Sequence, residues 1–159
     1  MSNAFLMHMA VALVWLFLSG NTGLGNFFLA LVLTFLLIAV FQKPLHCQDY
    51  VRRTIGFFRF LFKLLKEIVV SNIRIMGVAI SPRAGEVEGL FVDYNVEGHT
   101  DFEVLLIAFC IGLSPGTIVA NRSPDGRFLT LHTFAAGTSE EIQQKLDSTL
   151  STGICSFTR

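Results

Sequence analysis

The sequence predicts an integral membrane α-helical hairpin plus an amphipathic helix, followed by a small cytoplasmic α+β domain. Three observations lead to this prediction. Residues 1–42 contain no Asp, Glu, Lys or Arg, and eight of the twelve basic residues lie between Lys43 and Arg83. The chain has 52% hydrophobic residues and a mean hydropathy of +0.60, which is high for a soluble domain.

Charge divides the chain into three segments. Residues 1–42 are uncharged, residues 43–83 carry eight basic and two acidic side chains, and residues 84–159 carry four basic and ten acidic ones. We therefore expect a transmembrane helical hairpin in 1–42, a basic amphipathic helix at or in the membrane in 43–83, and a cytoplasmic α+β module in 84–159.

The uncharged segment contains two apolar runs, at residues 4–18 and 26–41, with turn-forming residues at 19–23 between them. Each run is close to the shortest length that crosses a bilayer, about 17 residues. The lack of a basic residue before the first run argues against a cleaved signal peptide. Positive charge just after the second run predicts that the N- and C-termini are both cytoplasmic. We expect His8 to be solvated or to face lipid headgroups.

Residues 51–80 have the period of an amphipathic helix. A basic stripe from Arg52 to Arg74 lies beside a broad apolar surface. Two placements stay open: an interfacial helix with its cations toward anionic headgroups, or a helix packed against partner membrane helices. We do not expect nucleic acid binding in a chain so apolar. Ser81 and Pro82 predict the end of the helix.

The C-terminal segment has the pattern of a β-α-β-β-α module with its helices on one face of the sheet. We expect strands at 89–96, 117–121 and 127–134, helices at 101–113 and 138–150, and a hairpin turn at 123–126. Thr138 and Glu141 have the spacing of a capping box. So small a module buries a modest core, and we expect it to lean on the basic helix or on a partner. Residues 151–159 show no clear pattern and are expected to fray.

Cys110, Ser114 and His132 could in principle converge into a catalytic site. Ser114 lacks the glycine context of a nucleophile elbow, and Ser114–Pro115–Gly116 fits a type II turn better. Three widely spaced cysteines give neither a disulfide framework nor a zinc cluster. We expect no catalytic, cofactor or metal site, and therefore no enzyme.

Several short motifs occur in a particular order along the chain. They are the apolar hairpin with Trp15 and Ser19-Gly20, the basic helix through Lys66-Glu67 to Ser81-Pro82, the Leu113-Ser114-Pro115-Gly116-Thr117 turn, and Asp125-Gly126-Arg127 leading into Leu129-Thr130-Leu131-His132. In these motifs and their spacing the sequence resembles the MrpE/MnhE/PhaE family, the E-type component of the multisubunit Mrp (also Mnh or Pha) monovalent cation/proton antiporters, over nearly its whole length. It departs from the family pattern after His132.

The resemblance implies a non-catalytic structural or assembly subunit of a Na⁺(K⁺)/H⁺ antiporter complex in the cell membrane. Its partners would be the other membrane subunits, together with anionic lipid headgroups near residues 52–74. The side chains that we expect to pack on partners are Trp15, Phe58, Phe62, Leu65, Val69, Asn72, Pro115 and Gly116. The alternative is a membrane-tethered cytoplasmic module that binds a ligand or a partner, which predicts a pocket in the α+β domain.

Overall fold

The computed structural model describes residues 2–81, 89–134 and 139–159. The chain forms two compact units, Met1–Ile55 and Gly56–Arg159, and the boundary between them lies inside the third helix. The elements in chain order are α1 Ser2–Ser19, α2 Leu24–Val40, α3 Gln48–Ile80, β1 Leu90–Asn95, α4 Asp101–Leu113, β2 Thr117–Arg122, β3 Phe128–Thr133, α5 Ser139–Leu146, a π-helical turn Asp147–Ser151 and α6 Thr152–Thr158.

The first unit is built from α1, α2 and the start of α3. Ala12 and Ala30 are both buried, and Asn26 closes the connection between α1 and α2 by donating to Ser19 Oγ at 2.7 Å. The two helices predicted for the uncharged segment are therefore present. None of the helices in residues 2–81, 89–134 and 139–159 combines the length and the apolar character that crossing a membrane requires.

His8 is buried inside this first unit, so its predicted exposure to solvent or headgroups is wrong. Its Nε2 lies 3.0 Å from the Leu31 carbonyl oxygen, which can only accept, so Nε2 carries the proton. In the neutral ring Nδ1 then accepts from the Tyr50 hydroxyl at 2.6 Å. The sequence did not predict this hydrogen bond, because Tyr50 lies 42 residues after His8 and no local pattern connects the two.

The second unit contains a three-stranded antiparallel sheet of order β1-β3-β2. Phe91 pairs with His132 and Ile118 also pairs with His132, so these three side chains share one face. The opposite face carries Leu131 and other buried side chains, and the helices cover it. The predicted β-α-β-β-α order and the hairpin between β2 and β3 are confirmed.

The core of the second unit includes side chains from α3 as well as from the α+β module. Phe60 and Leu64 are buried together with Tyr94, Ile107 and Leu131. The expectation that the module leans on the basic helix is therefore confirmed. The reason is the small size of the module, since three short strands and one main helix leave apolar side chains that need a further cover.

The C-terminal residues were expected to fray, and this prediction is wrong. The chain continues from α5 through a π-helical turn into α6, and Ile154 is fully buried. Gly153 makes the packing possible, because a Cβ at that position would lie 2.5 Å from Phe60 Cδ2. The predicted N-cap, Thr138, lies outside the described residues.

Candidate protein-partner interface

Helix α3 has three different faces along residues 58–76. Successive residues turn by about 100°, so side chains spaced three or four residues apart share a face. The inner face is the one buried in the second unit, and it consists of Phe60, Leu64, Ile68, Ser71 and Ile75. The other two faces do not belong to this core, and they differ sharply from each other in composition.

The outer face of α3 is apolar and exposed. It consists of Phe58, Phe62, Leu65, Val69, Ile73 and Met76, which lie within about 80° of one another around the helix axis. Phe62 is 74% exposed and Phe58 is 62% exposed. Isolated apolar side chains on a surface are ordinary, but a contiguous stripe of this length is typical of an interaction site.

The basic face of α3 separates the inner and outer faces. It consists of Arg59, Lys63, Lys66 and Arg74, all exposed. Glu67 lies at its edge, where it forms an ion pair with Lys145 and accepts from Ser71 Oγ at 3.2 Å. An exposed row of cations beside an apolar stripe is the arrangement that helices use at anionic membrane surfaces.

The structure brings together most of the side chains predicted to contact partners. Phe58, Phe62, Leu65 and Val69 all lie on the outer face of α3. Asn72 continues the same stripe, and its Nδ2 donates to the Ile68 carbonyl at 2.7 Å.

Three of the predicted contact residues lie elsewhere. Trp15 belongs to the first unit, where it is 41% exposed on α1. Pro115 and Gly116 lie in the second unit but not on the outer face; they line a cavity beside Ile75. The two residues form the predicted turn, with Gly116 at a φ of +95°.

A second exposed apolar stripe was not predicted. It runs along α4 through Phe102, Leu105 and Phe109, on the side opposite to buried Val104 and Ile107. The signal in the sequence was that the segment is apolar on all sides, whereas a helix that covers a sheet needs only one apolar face. This stripe adds a second surface that is suited to contact with lipid or protein.

Cys110 and His132, two of the residues considered for catalysis, do not form a common site. Cys110 is buried in the core below the sheet, and this burial raises the pKa of its thiol. His132 lies on the opposite face of the sheet between Phe91 and Phe134, with ring centroids 4.7 and 4.9 Å away. In the described ranges no three His, Cys, Asp or Glu side chains group as a metal site requires.

Among the described residues, the most buried charged group is Glu103 of α4, which is 1% exposed. Its carboxylate accepts from Arg159 Nε at 3.0 Å, Arg159 Nη2 at 2.8 Å and Thr158 Oγ1 at 2.7 Å. It also accepts from the Thr100 backbone N–H at 2.8 Å, as part of the capping box at the start of α4. The hydrogen bonds from Arg159 hold the Glu103 pKa well below its usual range. This network attaches the C-terminal residues to α4, and the sequence gave no local sign of it.

Comparison with known proteins shows which sequences this chain is similar to. Residues 8–155 match a sequence model of the MNHE family, which is described as Na+/H+ ion antiporter subunit. The match covers almost the whole chain and includes both structural units.

Two relatives have similar length. The E1 subunit of a Na(+)/H(+) antiporter of Staphylococcus epidermidis is 28% identical over 150 residues, covering 94% of this chain and 94% of the relative. The E-type subunit of a Na(+)/H(+) antiporter of Bacillus subtilis is 27% identical over 132 residues, covering 83% of each chain. Among solved structures, a chain of the Mrp complex from a Dietzia species aligns with a TM-score of 0.45 and 18% identity, over 58% of this chain and 87% of that one.

Proposed function

Because this chain belongs to the MNHE family of Na+/H+ ion antiporter subunits, we propose that it is a non-catalytic subunit that helps the antiporter complex to assemble. It contributes surfaces to the complex, while the exchange of Na⁺ or K⁺ for H⁺ takes place in other subunits. The observation that carries this proposal is the outer face of α3, which is apolar and exposed and lies outside the core that the described residues of its unit form.

The first unit supplies the membrane anchor in this proposal. Helices α1 and α2 contain no Asp, Glu, Lys or Arg, and large side chains such as Phe17, Leu18 and Leu24 are about four-fifths exposed. Lipid tails or neighbouring subunits would cover these side chains. In this proposal α1 and α2 enter the bilayer together as a pair of short helices, and the basic segment after them keeps the N-terminus and the α+β module on the cytoplasmic side.

The basic face of α3 contacts anionic headgroups in the same arrangement. Arg59, Lys63, Lys66 and Arg74 are exposed on one side of the helix. Each cation near an anionic surface contributes about 1 kcal/mol of attraction. The outer face beside it then contacts partner subunits at or below the headgroup level.

A direct role in ion transport or in catalysis is not part of the proposal. Helices α1 and α2 carry no carboxylate or amine of the kind that binds a cation inside a membrane. Cys110 and His132 lie on opposite faces of the sheet, so they do not form a nucleophile and base pair. Membership of the family favours this role over a tethered module without an antiporter.

The proposal predicts that a charge on the outer face releases the subunit from the complex. Phe62→Asp and Leu65→Asp are the test variants, and Phe62→Leu is the matched control because it keeps the position apolar. A neighbouring subunit carries the purification tag, and the amount of this chain that copurifies with it is measured. We expect either Asp variant to be recovered at less than a tenth of the amount of the original chain, which corresponds to a loss of about 1.4 kcal/mol or more in binding free energy.

The fold of each variant is checked in the same membranes by limited proteolysis. Phe62 and Leu65 are exposed, so the protease-resistant fragments should match those of the original chain. Normal copurification of both Asp variants would refute the proposed interface. Equal loss of Phe62→Leu would show that packing shape, rather than an apolar contact, is what α3 requires there.

A further inference from the structure

A cavity of about 370 Å³ lies inside the second unit, between the inner face of α3, the turn that follows α4 and helix α5. Its apolar lining includes Ile75 and Val78 from α3, and Ile142 and Leu146 from α5. Small-molecule sites usually measure about 300–1,000 Å³ and have mainly apolar walls. This cavity lies at the lower end of that range, so it has room for a compact ligand or one short chain.

The turn at Pro115 and Gly116 also lines the cavity. Gly116 has a φ of +95°, which favours glycine, and a Cβ at this position would lie 2.8 Å from Ile75 Cδ1. The turn therefore lies directly against the Ile75 side chain of α3.

Most polar groups on the walls bond to each other. Thr117 Oγ1 and Thr133 Oγ1 lie 3.0 Å apart, and Lys145 forms its ion pair with Glu67. These groups lose little when an apolar ligand enters, because their hydrogen bonds and charges are already satisfied.

Arg74 is different. It lines the cavity, and among the described residues no carboxylate forms an ion pair with it. The other carboxylate at the cavity, Glu141, lies in the first turn of α5, where the helix N-terminus stabilises a negative charge. A planar guanidinium suits two-point binding of a carboxylate or a phosphate.

We propose that this cavity binds a single-chain amphiphile with an anionic head, the chain lying between Ile75 and Ile142 and the head on Arg74. Binding of a ligand goes beyond the proposed assembly role, which requires none. A free fatty acid and one acyl chain of an anionic phospholipid share this chemistry, so the test has to distinguish these two sources.

The experiment uses membranes that contain the full chain and photoreactive probes that carry a diazirine at the end of a ten-carbon chain. The probes are the fatty acid, the matching uncharged alcohol, and a phosphatidic acid with the same chain in one position. After illumination, the labelled peptides are mapped by mass spectrometry. We expect labels on α5 or on the turn after α4, with the anionic probes exceeding the alcohol about tenfold, the effect of one charge-assisted hydrogen bond.

Arg74→Gln is the test variant and Arg59→Gln is its matched control, a cation on the same face of α3 about 22 Å along the helix. We expect Arg74→Gln to lower anionic labelling of the cavity about tenfold and Arg59→Gln to leave it unchanged. Higher labelling by the fatty acid identifies a free ligand, and higher labelling by phosphatidic acid identifies a membrane lipid. Equal labelling by the alcohol, equal effects of the two variants, or labels only on the outer face of α3 would overturn the proposal.

Discussion

The inner and outer faces of α3 contain the same kinds of residue and have opposite surroundings. Leu64 is 7% exposed, while Leu65, the next residue, is 52% exposed. Phe60 packs against Phe157 of α6 with ring centroids 5.5 Å apart, while Phe58 on the outer face stays exposed. A contiguous apolar stripe therefore indicates a contact surface, but whether the same unit covers it depends on the rest of the fold. In α3, the inner face stabilises the unit, and the outer face is the one that we propose contacts a partner.

The largest change in stability should come from shortening a side chain on the inner face of α3. We expect Leu64→Ala to lower the free energy of unfolding of the second unit by about 2–5 kcal/mol, because it leaves a cavity in the core. Leu65→Ala, one residue away on the outer face, should change it by less than about 0.5 kcal/mol. Chemical unfolding of the full chain in mild detergent measures both values. Equal losses of unfolding free energy in the two variants would show that the two faces do not differ in their contribution to stability.

A smaller loss of stability should come from neutralising Glu103, the buried carboxylate that connects α4 to the C-terminal residues. We expect Glu103→Gln to lower the free energy of unfolding by about 1–3 kcal/mol, since a charge-assisted pair with Arg159 is lost. Glu97→Gln is the control, because the ion pair of Glu97 with Arg127 is exposed and long, at 3.8 Å. That control should change stability by less than about 1 kcal/mol.

The same carboxylate gives the second unit a pH dependence. Its folded pKa is depressed, so its contribution is complete above the unfolded pKa of about 4.3 and is lost as the pH falls toward the folded value. We expect stability to fall below about pH 4.5 in the original chain and to fall less steeply in Glu103→Gln. The same slope in both proteins would show that other groups control the acid response.

The smallest effect should come from the turn that touches the inner face. We expect Gly116→Ala to lower the free energy of unfolding by about 1–2 kcal/mol, because of its positive φ and the contact with Ile75. Gly112→Ala is the matched control, since Gly112 lies in α4 with open space around it. That control should raise stability by about 0.5–1 kcal/mol. A loss in both variants would rule out the turn geometry as the cause.

The sequence was sufficient where structure is decided locally. Helix α4 begins and ends where it was predicted, at Asp101 and Leu113, because a capping residue precedes it and a Pro-Gly turn follows it. The sequence was insufficient where distant residues decide. The sequence predicted one broad apolar surface on α3, because no neighbouring residue indicates that Leu64 is buried and Leu65 is exposed. It also missed α6, whose weak helix formers are held by Phe60 and Glu103.

The pair formed by Glu103 and Arg159 also sets an order of events during synthesis. The two residues are separated by 56 positions in the chain. At about 5–20 residues per second, a ribosome needs about 3–11 s to travel from one to the other. During that interval α4 can form its first turn with the Thr100 cap, but the Glu103 carboxylate has no Arg159 guanidinium to pair with. The second unit can therefore reach its final packing only after translation has passed Arg159, whereas the two long helices of the first unit are complete well before that point.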